Sequence, residues 1–162
     1  MRRLVVFGNS GSGKSTLAKS LSQSEGLAHF DLDNIAWLPT NPPERRPLQE
    51  CGEKINQFIA SNDCWVIEGC YGDLIEFAAQ HATEMVFLNL SVDDCIANAN
   101  SRPWEPHKYP SQEAQDESLQ MLTDWVSAYP DRDDTCSLQS HLALFERFPG
   151  NKTMETKRQQ RE

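Results

Sequence analysis

Short apolar runs alternate along the chain with longer segments of mixed hydrophobic and polar residues. The apolar runs are RRLVVF (2–7), LAHFDLD (27–33), CWVIEG (64–69) and EMVFLNL (84–90). Between them, apolar residues recur at helical spacing, as in KSTLAKSLSQSEG, which ends at Gly26. Strands that alternate with helices predict a parallel sheet covered on both faces, because right-handed crossovers place the helices there.

Two proline-rich segments interrupt this alternation. The first, NIAWLPTNPPERRP at residues 34–47, carries four prolines, which predict a loop or a lid-like excursion. The second, RPWEPHKYPSQ at residues 102–112, follows a predicted helix with Ser91 at its N-cap. Its position after that helix predicts a short lid.

The length of 162 residues suits one domain and is short for two. We predict a single doubly wound α/β domain over residues 1–150, with four strands and a weaker fifth strand near 148–154. Residues 151–162 are polar apart from Met154, and we predict a solvated C-terminal tail there.

Charge, cysteine spacing and the lengths of the apolar runs argue against several classes of partner, metal site and cellular location. The formal net charge of −9 argues against nucleic acid, because phosphate backbones are bound through clustered lysines and arginines. The five cysteines form no CxxC pair, so we expect free thiols rather than disulfides or a zinc site. No apolar run suits a membrane span, and the run after Arg2 and Arg3 is too short for a secretion signal. We expect a cytoplasmic monomer or homodimer.

The stretch GNSGSGKST at residues 8–16 joins the first predicted strand to the first predicted helix. It satisfies the spacing G-x-x-x-x-G-K-[ST] through Gly8, Gly13, Lys14 and Ser15. In such a loop, backbone N–H groups surround the phosphates, the lysine contacts the β- and γ-phosphates, and the serine hydroxyl ligates Mg²⁺. We expect ATP and Mg²⁺ to bind Gly8, Asn9, Ser10, Gly11, Ser12, Gly13, Lys14, Ser15 and Thr16.

Three classes of protein use a phosphate loop of this kind. A GTPase switch needs an [NT]KxD motif and a DxxG motif, and the chain contains neither. A motor-type or regulatory ATPase usually needs a longer chain with a surface for its partner. A small-molecule phosphotransferase needs a carboxylate near the metal, an acceptor pocket and a cationic lid, and the sequence offers candidates for all three.

Acidic residues end two of the predicted strands. Asp31 and Asp33 end the second strand as DLD, and alternation along a strand turns both side chains to one side. Because ligands bind at the carboxyl ends of strands in open α/β sheets, we predict that Asp31 binds magnesium and Asp33 accepts the proton of a substrate hydroxyl. Glu68 ends the apolar run CWVI, where a carboxylate is costly unless it is paired or orders a metal. The predicted metal ligands are Ser15, Asp31 and Glu68; solvated strand-end carboxylates are the alternative.

Cationic side chains lie in both proline-rich segments. Arg102 opens the predicted lid, where a guanidinium group can hold a transferring phosphoryl group through two hydrogen bonds. His107 and Lys108 are further lid candidates. Arg45 and Arg46 lie where an anionic acceptor would approach, although two solvated arginines fit the sequence as well. The predicted catalytic residues are Lys14, Asp33 and Arg102.

The chain resembles the small adenylate-kinase-related P-loop kinases, in particular the group related to DNA topology modulation proteins, some of whose members carry a shikimate kinase label. The resemblance lies in LVVFGNSGSGKSTLAKSL, HFDLDNIAW, WVIEGCYGDL, MVFLNL and SRPW, and covers roughly residues 2 to 130. It implies a nucleoside-kinase-like P-loop NTPase sandwich of three layers, with a short lid, ATP as donor and Mg²⁺. It also implies phosphate binding by residues 8–16, metal binding by Ser15 and a lid position for Arg102.

The identity of the acceptor stays open at this point. The run EGCYG lacks the GFPR run of adenylate kinases and the triple glycine of shikimate kinases. We therefore hypothesise a magnesium-dependent, ATP-binding kinase whose acceptor is a nucleotide, a nucleoside or a small hydroxy metabolite. A nucleotide-dependent ATPase or regulatory switch without an acceptor is the alternative.

Overall fold

The computed structural model describes residues 1–157 and is built around a parallel sheet of five strands. The strands of this sheet are β1 (Arg3–Gly8), β2 (Ala28–Asp31), β5 (Trp65–Gly69), β6 (Glu84–Leu88) and β7 (Asn151–Glu155), and a separate antiparallel ribbon consists of β3 (Trp37–Leu38) and β4 (Glu44–Arg45). The order across the sheet is β2-β5-β1-β6-β7. The strand that feeds the phosphate loop, β1, therefore lies at the centre.

Helices connect the strands and cover both faces of the sheet. They are α1 (Lys14–Glu25), α2 (Leu48–Ser61), α3 (Gly72–Ala79), α4 (Val92–Asn100), α5 (Gln112–Ser127) and α6 (Leu138–Arg147), with a short 3-10 helix at Leu32–Asn34. Gly26 ends α1 in the left-handed conformation, and the Ser91 hydroxyl accepts a hydrogen bond from the backbone of α4. Both caps agree with the sequence prediction.

Side chains of β1 alternate between two hydrophobic cores, one on each face of the sheet. Val5 and Phe7 pack with α2, α3 and α6, whereas Leu4 and Val6 pack with α1, α4 and α5. All four side chains are fully buried. The result is a three-layer α/β sandwich, which confirms the predicted fold class.

The structure corrects the predicted end of the second strand. β2 stops at Asp31, and Asp33 lies in the 3-10 helix that follows. The chain turns there because the Asp31 carboxylate accepts a hydrogen bond from the Asp33 backbone N–H at 2.9 Å. The prediction that both aspartates share one face of a strand is therefore wrong. The predicted loop at 34–47 likewise contains the short β3–β4 ribbon.

The fifth strand is present and lies parallel to β6 at one edge of the sheet. It takes residues 151–155 out of the predicted polar tail, and residues 158–162 of that tail lie outside the described residues. Over residues 1–157, no helix combines the length and the hydropathy that a membrane crossing requires.

Candidate active site

A cavity of about 300 Å³ opens where the carboxyl ends of β1, β2 and β5 meet. Its walls come from the phosphate loop (residues 8–16), from Asp33 and Glu68, and from the lid loop (residues 101–111) that connects α4 to α5. Open α/β sheets bind ligands at this edge. The fold therefore brings the predicted donor, metal and lid residues to one place, although Asp31, Arg45 and Arg46 do not line the cavity.

The phosphate loop has a backbone that glycine alone accommodates easily. Gly11 and Gly13 have φ values of +81° and +93°, and a Cβ atom on Gly11 would lie 2.4 Å from the Cys95 carbonyl oxygen. The Asn98 side chain on α4 donates a hydrogen bond to the Gly11 carbonyl at 2.8 Å. Lys14 Nζ donates to the carbonyl of Asn9 at 2.9 Å, which curls the loop around the start of α1.

The loop also contains two buried polar atoms without a partner in the described chain, on Asn9 and Ser12, which do not line the cavity, whereas oxygen atoms that suit a metal do line it. Asn9 and Ser12 are almost fully buried, and within residues 1–157 neither Asn9 Oδ1 nor Ser12 Oγ has a hydrogen-bond partner. The hydroxyl of Ser15 and the carboxylate of Glu68 line the same cavity, and hard oxygen ligands of this kind suit Mg²⁺. Within the described part of the chain, no group of three or more His, Cys, Asp or Glu side chains forms a metal site by itself.

Asp33 is held in place by a short chain of hydrogen bonds. Tyr71 Oη donates to Asp33 Oδ1 at 2.6 Å, and Trp37 Nε1 donates to Tyr71 Oη at 2.8 Å. Burial, together with neighbouring anionic groups that include Asp33, raises the pKa of Tyr71 well above its usual value, so the phenol remains a donor. The second oxygen of Asp33, Oδ2, lies 3.5 Å from Lys108 Nζ on the lid loop.

Glu68 is buried inside β5, with 2% of its surface exposed. His29 Nε2 lies 3.0 Å from Glu68 Oε2 and pairs with it. Asp31 is the register partner of Glu68 on the adjacent strand. Burial first, and then the charges of Glu68 and Asp33, raise the pKa of Asp31. Glu68 thus lines the cavity from β5, whereas Asp31 caps the 3-10 helix.

The lid loop is organised around an acidic residue, Glu105. Its carboxylate lies 3.9 Å from Arg102 Nη1, 3.6 Å from His107 Nε2 and 3.7 Å from Lys108 Nζ. Its backbone N–H donates to Gln115 Oε1 on α5 at 2.8 Å, which ties the loop to that helix. Burial lowers the pKa of Lys108, but Asp33 and Glu105 outweigh it, so the pKa is raised overall and the ammonium group stays charged.

The two arginines of the first proline-rich segment are bound within the protein. Arg45 Nη2 contacts both carboxylate oxygens of Asp73, at 3.2 and 3.0 Å, and the guanidinium group lies over the Tyr71 ring at 4.8 Å. Arg46 Nε donates to the Ile35 carbonyl at 2.9 Å. These contacts stabilise the ribbon around Trp37 and Tyr71, so neither arginine is directed at the cavity.

Sequence reasoning missed several residues that position the site, in particular Tyr71, Glu105 and His29. Tyr71 and Asp33 are 38 residues apart, and His29 and Glu68 are 39 apart. Contacts between residues so distant in sequence leave no signal in local spacing. Cys70, which follows Glu68 by two residues, also lines the cavity.

Comparisons with known proteins support the fold. No family model and no curated protein matches the sequence. Among solved structures, the chain is similar to an unliganded sugar kinase from a Janibacter species, with 17% identity over 99% of this chain and 87% of that chain and a TM-score of 0.56. The chain has a nucleoside-kinase-like P-loop fold.

Two further structures match at lower TM-scores. One is a deoxyadenosine kinase from M. mycoides with bound dATP, at 12% identity over 95% of this chain and 90% of that chain, with a TM-score of 0.48. The other is a shikimate kinase from Bacteroides thetaiotaomicron, at 18% identity over 90% and 97%, with a TM-score of 0.42.

Proposed function

We propose that the protein is an ATP-binding, magnesium-dependent kinase that phosphorylates a hydroxyl group of a small molecule. The observation that supports this most directly is the position of Asp33, which faces the same cavity as Lys14 and Ser15 and is oriented by Tyr71. A carboxylate held in that way can accept the proton of an acceptor hydroxyl as the phosphoryl group is transferred. The similarity in fold to a sugar kinase agrees with the proposal.

On the donor side, the phosphate loop binds the β- and γ-phosphates of ATP. The N–H groups at the start of α1 and the ammonium group of Lys14 supply the positive field. Ser15 and Glu68 would hold Mg²⁺, which neutralises charge that develops on the phosphate oxygens. Arg102 and Lys108 on the lid loop would contact the transferring phosphoryl group when the lid closes.

On the acceptor side, Asp33 accepts the proton of the substrate hydroxyl. Tyr71 donates to Oδ1, so Oδ2 takes the proton after Lys108, whose Nζ lies 3.5 Å from Oδ2, moves to the transferring phosphoryl group. As the hydroxyl oxygen bonds to the γ-phosphorus, the bond from that phosphorus to the bridging oxygen breaks, and ADP leaves. No proton from solvent is required in this step.

The remaining parts of the proposal rest on the sequence. We place the chain among the small adenylate-kinase-related P-loop kinases, in the group related to DNA topology modulation proteins. The acceptor class is a nucleotide, a nucleoside or a small hydroxy metabolite. The net charge of −9 makes nucleic acid an unsuitable partner, and we propose a cytoplasmic monomer or homodimer whose kinase domain, predicted from the sequence as residues 1–150, extends through β7 to Glu155.

Release of ADP in the presence of candidate acceptors tests the proposal. The purified protein with Mg-ATP is offered nucleosides, nucleotides, sugars and shikimate-like acids one at a time. We expect one class to stimulate ADP release, with a phosphorylated product visible by mass spectrometry. A slow rate that no acceptor changes, and that only a protein partner raises, would favour the ATPase or switch instead. Asp33→Asn is the matched control, because its stimulated rate should disappear.

A further inference from the structure

Two cysteines lie side by side at the wall of the cavity. Cys70 Sγ and Cys136 Sγ are 3.8 Å apart, and both thiols are free. Cys70 follows β5, is half-buried and lines the cavity. Cys136 lies behind it with 6% of its surface exposed, in the segment between α5 and α6. The proposed kinase mechanism uses neither thiol.

The backbones that carry these thiols are fixed against each other. The Gly72 N–H donates to the Thr135 carbonyl at 2.9 Å, and the His141 imidazole contacts the Cys70 carbonyl at 2.7 Å through Nε2. A Cβ atom on Gly72 would lie 2.4 Å from the Thr135 oxygen, so the two segments approach as closely as glycine allows. The sulfur atoms therefore stay near each other without any movement of a helix or strand.

We propose that Cys70 and Cys136 are a redox modification site, at which a peroxide closes a reversible disulfide that a nucleotide in the adjacent cavity prevents. The peroxide oxygen first bonds to the Cys70 sulfur, its O–O bond breaks, and water leaves with the thiol proton. The Cys136 sulfur then displaces the oxygen from Cys70 as a second water. Overall, two thiols and one hydrogen peroxide give one disulfide and two waters. A small thiol reverses the reaction by exchange.

A bound nucleotide would slow disulfide formation because it would block the path of the peroxide to Cys70. Cys136 is buried, so the oxidant reaches the pair through Cys70, and Cys70 shares its cavity with Lys14 and Ser15. Phosphates bound at those two residues would fill the route. The disulfide itself does not depend on the proposed function, whereas the shielding rests on nucleotide binding.

Peptide mass spectrometry after limited hydrogen peroxide treatment tests both parts. We expect a Cys70–Cys136 disulfide in the nucleotide-free protein and its loss after dithiothreitol. With Mg-ATP at about ten times its Kd, disulfide formation should slow about tenfold, because the fraction of protein with an empty nucleotide site falls by that factor. Cys64→Ser is the matched control, since Cys64 is half-buried at the opposite end of β5 and its loss should change neither result.

The two parts of the proposal can fail separately. Oxidation of Cys70 to sulfinic acid with Cys136 untouched, or pairing with another cysteine, would overturn the disulfide. In Cys136→Ser no disulfide should form at Cys70, which should instead be found as sulfenic acid or as a higher oxidation product. If calorimetry shows that Mg-ATP binds and the rate of closure is unchanged, the shielding is wrong. If Mg-ATP does not bind, the proposed function fails while the disulfide result stands.

Discussion

The two halves of the candidate site are built in different ways. The donor half is one continuous stretch, residues 8–16, which begins at the central strand and runs into α1. The acceptor half is assembled from Asp33 after β2, Trp37 on the ribbon, Tyr71 before α3 and Lys108 on the lid loop. One half is therefore encoded locally, and the other exists only when the chain has folded.

This difference leads to an expectation about variants. Changes around the phosphate loop should weaken nucleotide binding, and changes around Asp33 should slow phosphoryl transfer with little effect on nucleotide affinity. An interaction made only during transfer lowers the rate, whereas one made in the ground state lowers affinity.

The largest effect on the acceptor half is expected for Asp33→Asn. The amide cannot take the proton of the acceptor hydroxyl, although it can still accept the hydrogen bond from Tyr71. Stimulated transfer should fall by about 10²–10⁴-fold, the usual contribution of a general base. The Kd of Mg-ATP, measured by calorimetry, should stay within about threefold, since one surface-facing charge is lost. An equal fall in both quantities would assign Asp33 to the donor half.

The free energy of unfolding should fall in acid because of His141, which contacts the backbone of Cys70 beside the acceptor half. This imidazole is fully buried, contacts Tyr129 and the Cys70 carbonyl, and burial lowers its pKa to about 4. The unfolded chain binds the proton first, so stability falls as the pH drops from about 6.5 towards the folded-state pKa. Between pH 7 and pH 5 the loss from this group should be about 2 kcal/mol, at about 1.4 kcal/mol per pKa unit.

Urea unfolding at the two pH values measures this loss. In His141→Gln, which offers an amide for the same hydrogen bonds and does not titrate, that part of the pH dependence should disappear. If the free energy of unfolding changed with pH by the same amount in the wild type and in the variant, His141 would not be a neutral buried imidazole.

Removal of the hydrogen bond that orients Asp33 is expected to have a smaller effect. Tyr71→Phe keeps the ring beneath Arg45 and deletes the donor that holds Asp33 Oδ1 at 2.6 Å. Transfer should fall about tenfold, which corresponds to about 1.4 kcal/mol, the scale of a hydrogen bond to a charged group. Single-turnover kinetics at saturating Mg-ATP give this rate. An unchanged rate would show that Tyr71 serves only the fold.

The matching change in the donor half is Asn98→Ala, which removes the hydrogen bond to the Gly11 carbonyl at 2.8 Å. A looser phosphate loop should bind Mg-ATP about fivefold more weakly, since one neutral hydrogen bond contributes about 1 kcal/mol. The rate of transfer from bound ATP should change less than in Tyr71→Phe. If the two variants gave the same pattern of rate and affinity, the site would not divide into these halves.

Sequence patterns predict the donor half because its parts are neighbours in the chain. Gly8, Gly13 and Lys14 have a fixed spacing, and the strand and helix around them follow from hydrophobic periodicity. The same patterns indicate Asp33 and Arg102 as candidate site residues, but they do not predict how the two side chains are oriented. The sequence prediction misjudged the turn after Asp31, because a carboxylate that bonds to the backbone two residues later ends the strand early. The contacts among Asp33, Tyr71 and Lys108 depend on tertiary packing and have no local signature.

The central claim is that residues 8–16 bind the phosphates of ATP through Lys14, and calorimetric titration with Mg-ATP tests it most directly. Lys14→Ala should weaken binding at least about 100-fold, because about 3 kcal/mol of charge-assisted contact is lost, while circular dichroism shows an unchanged fold. Wild-type protein that binds no Mg-ATP, or a Lys14→Ala variant that binds it as tightly as the wild type, would contradict the account.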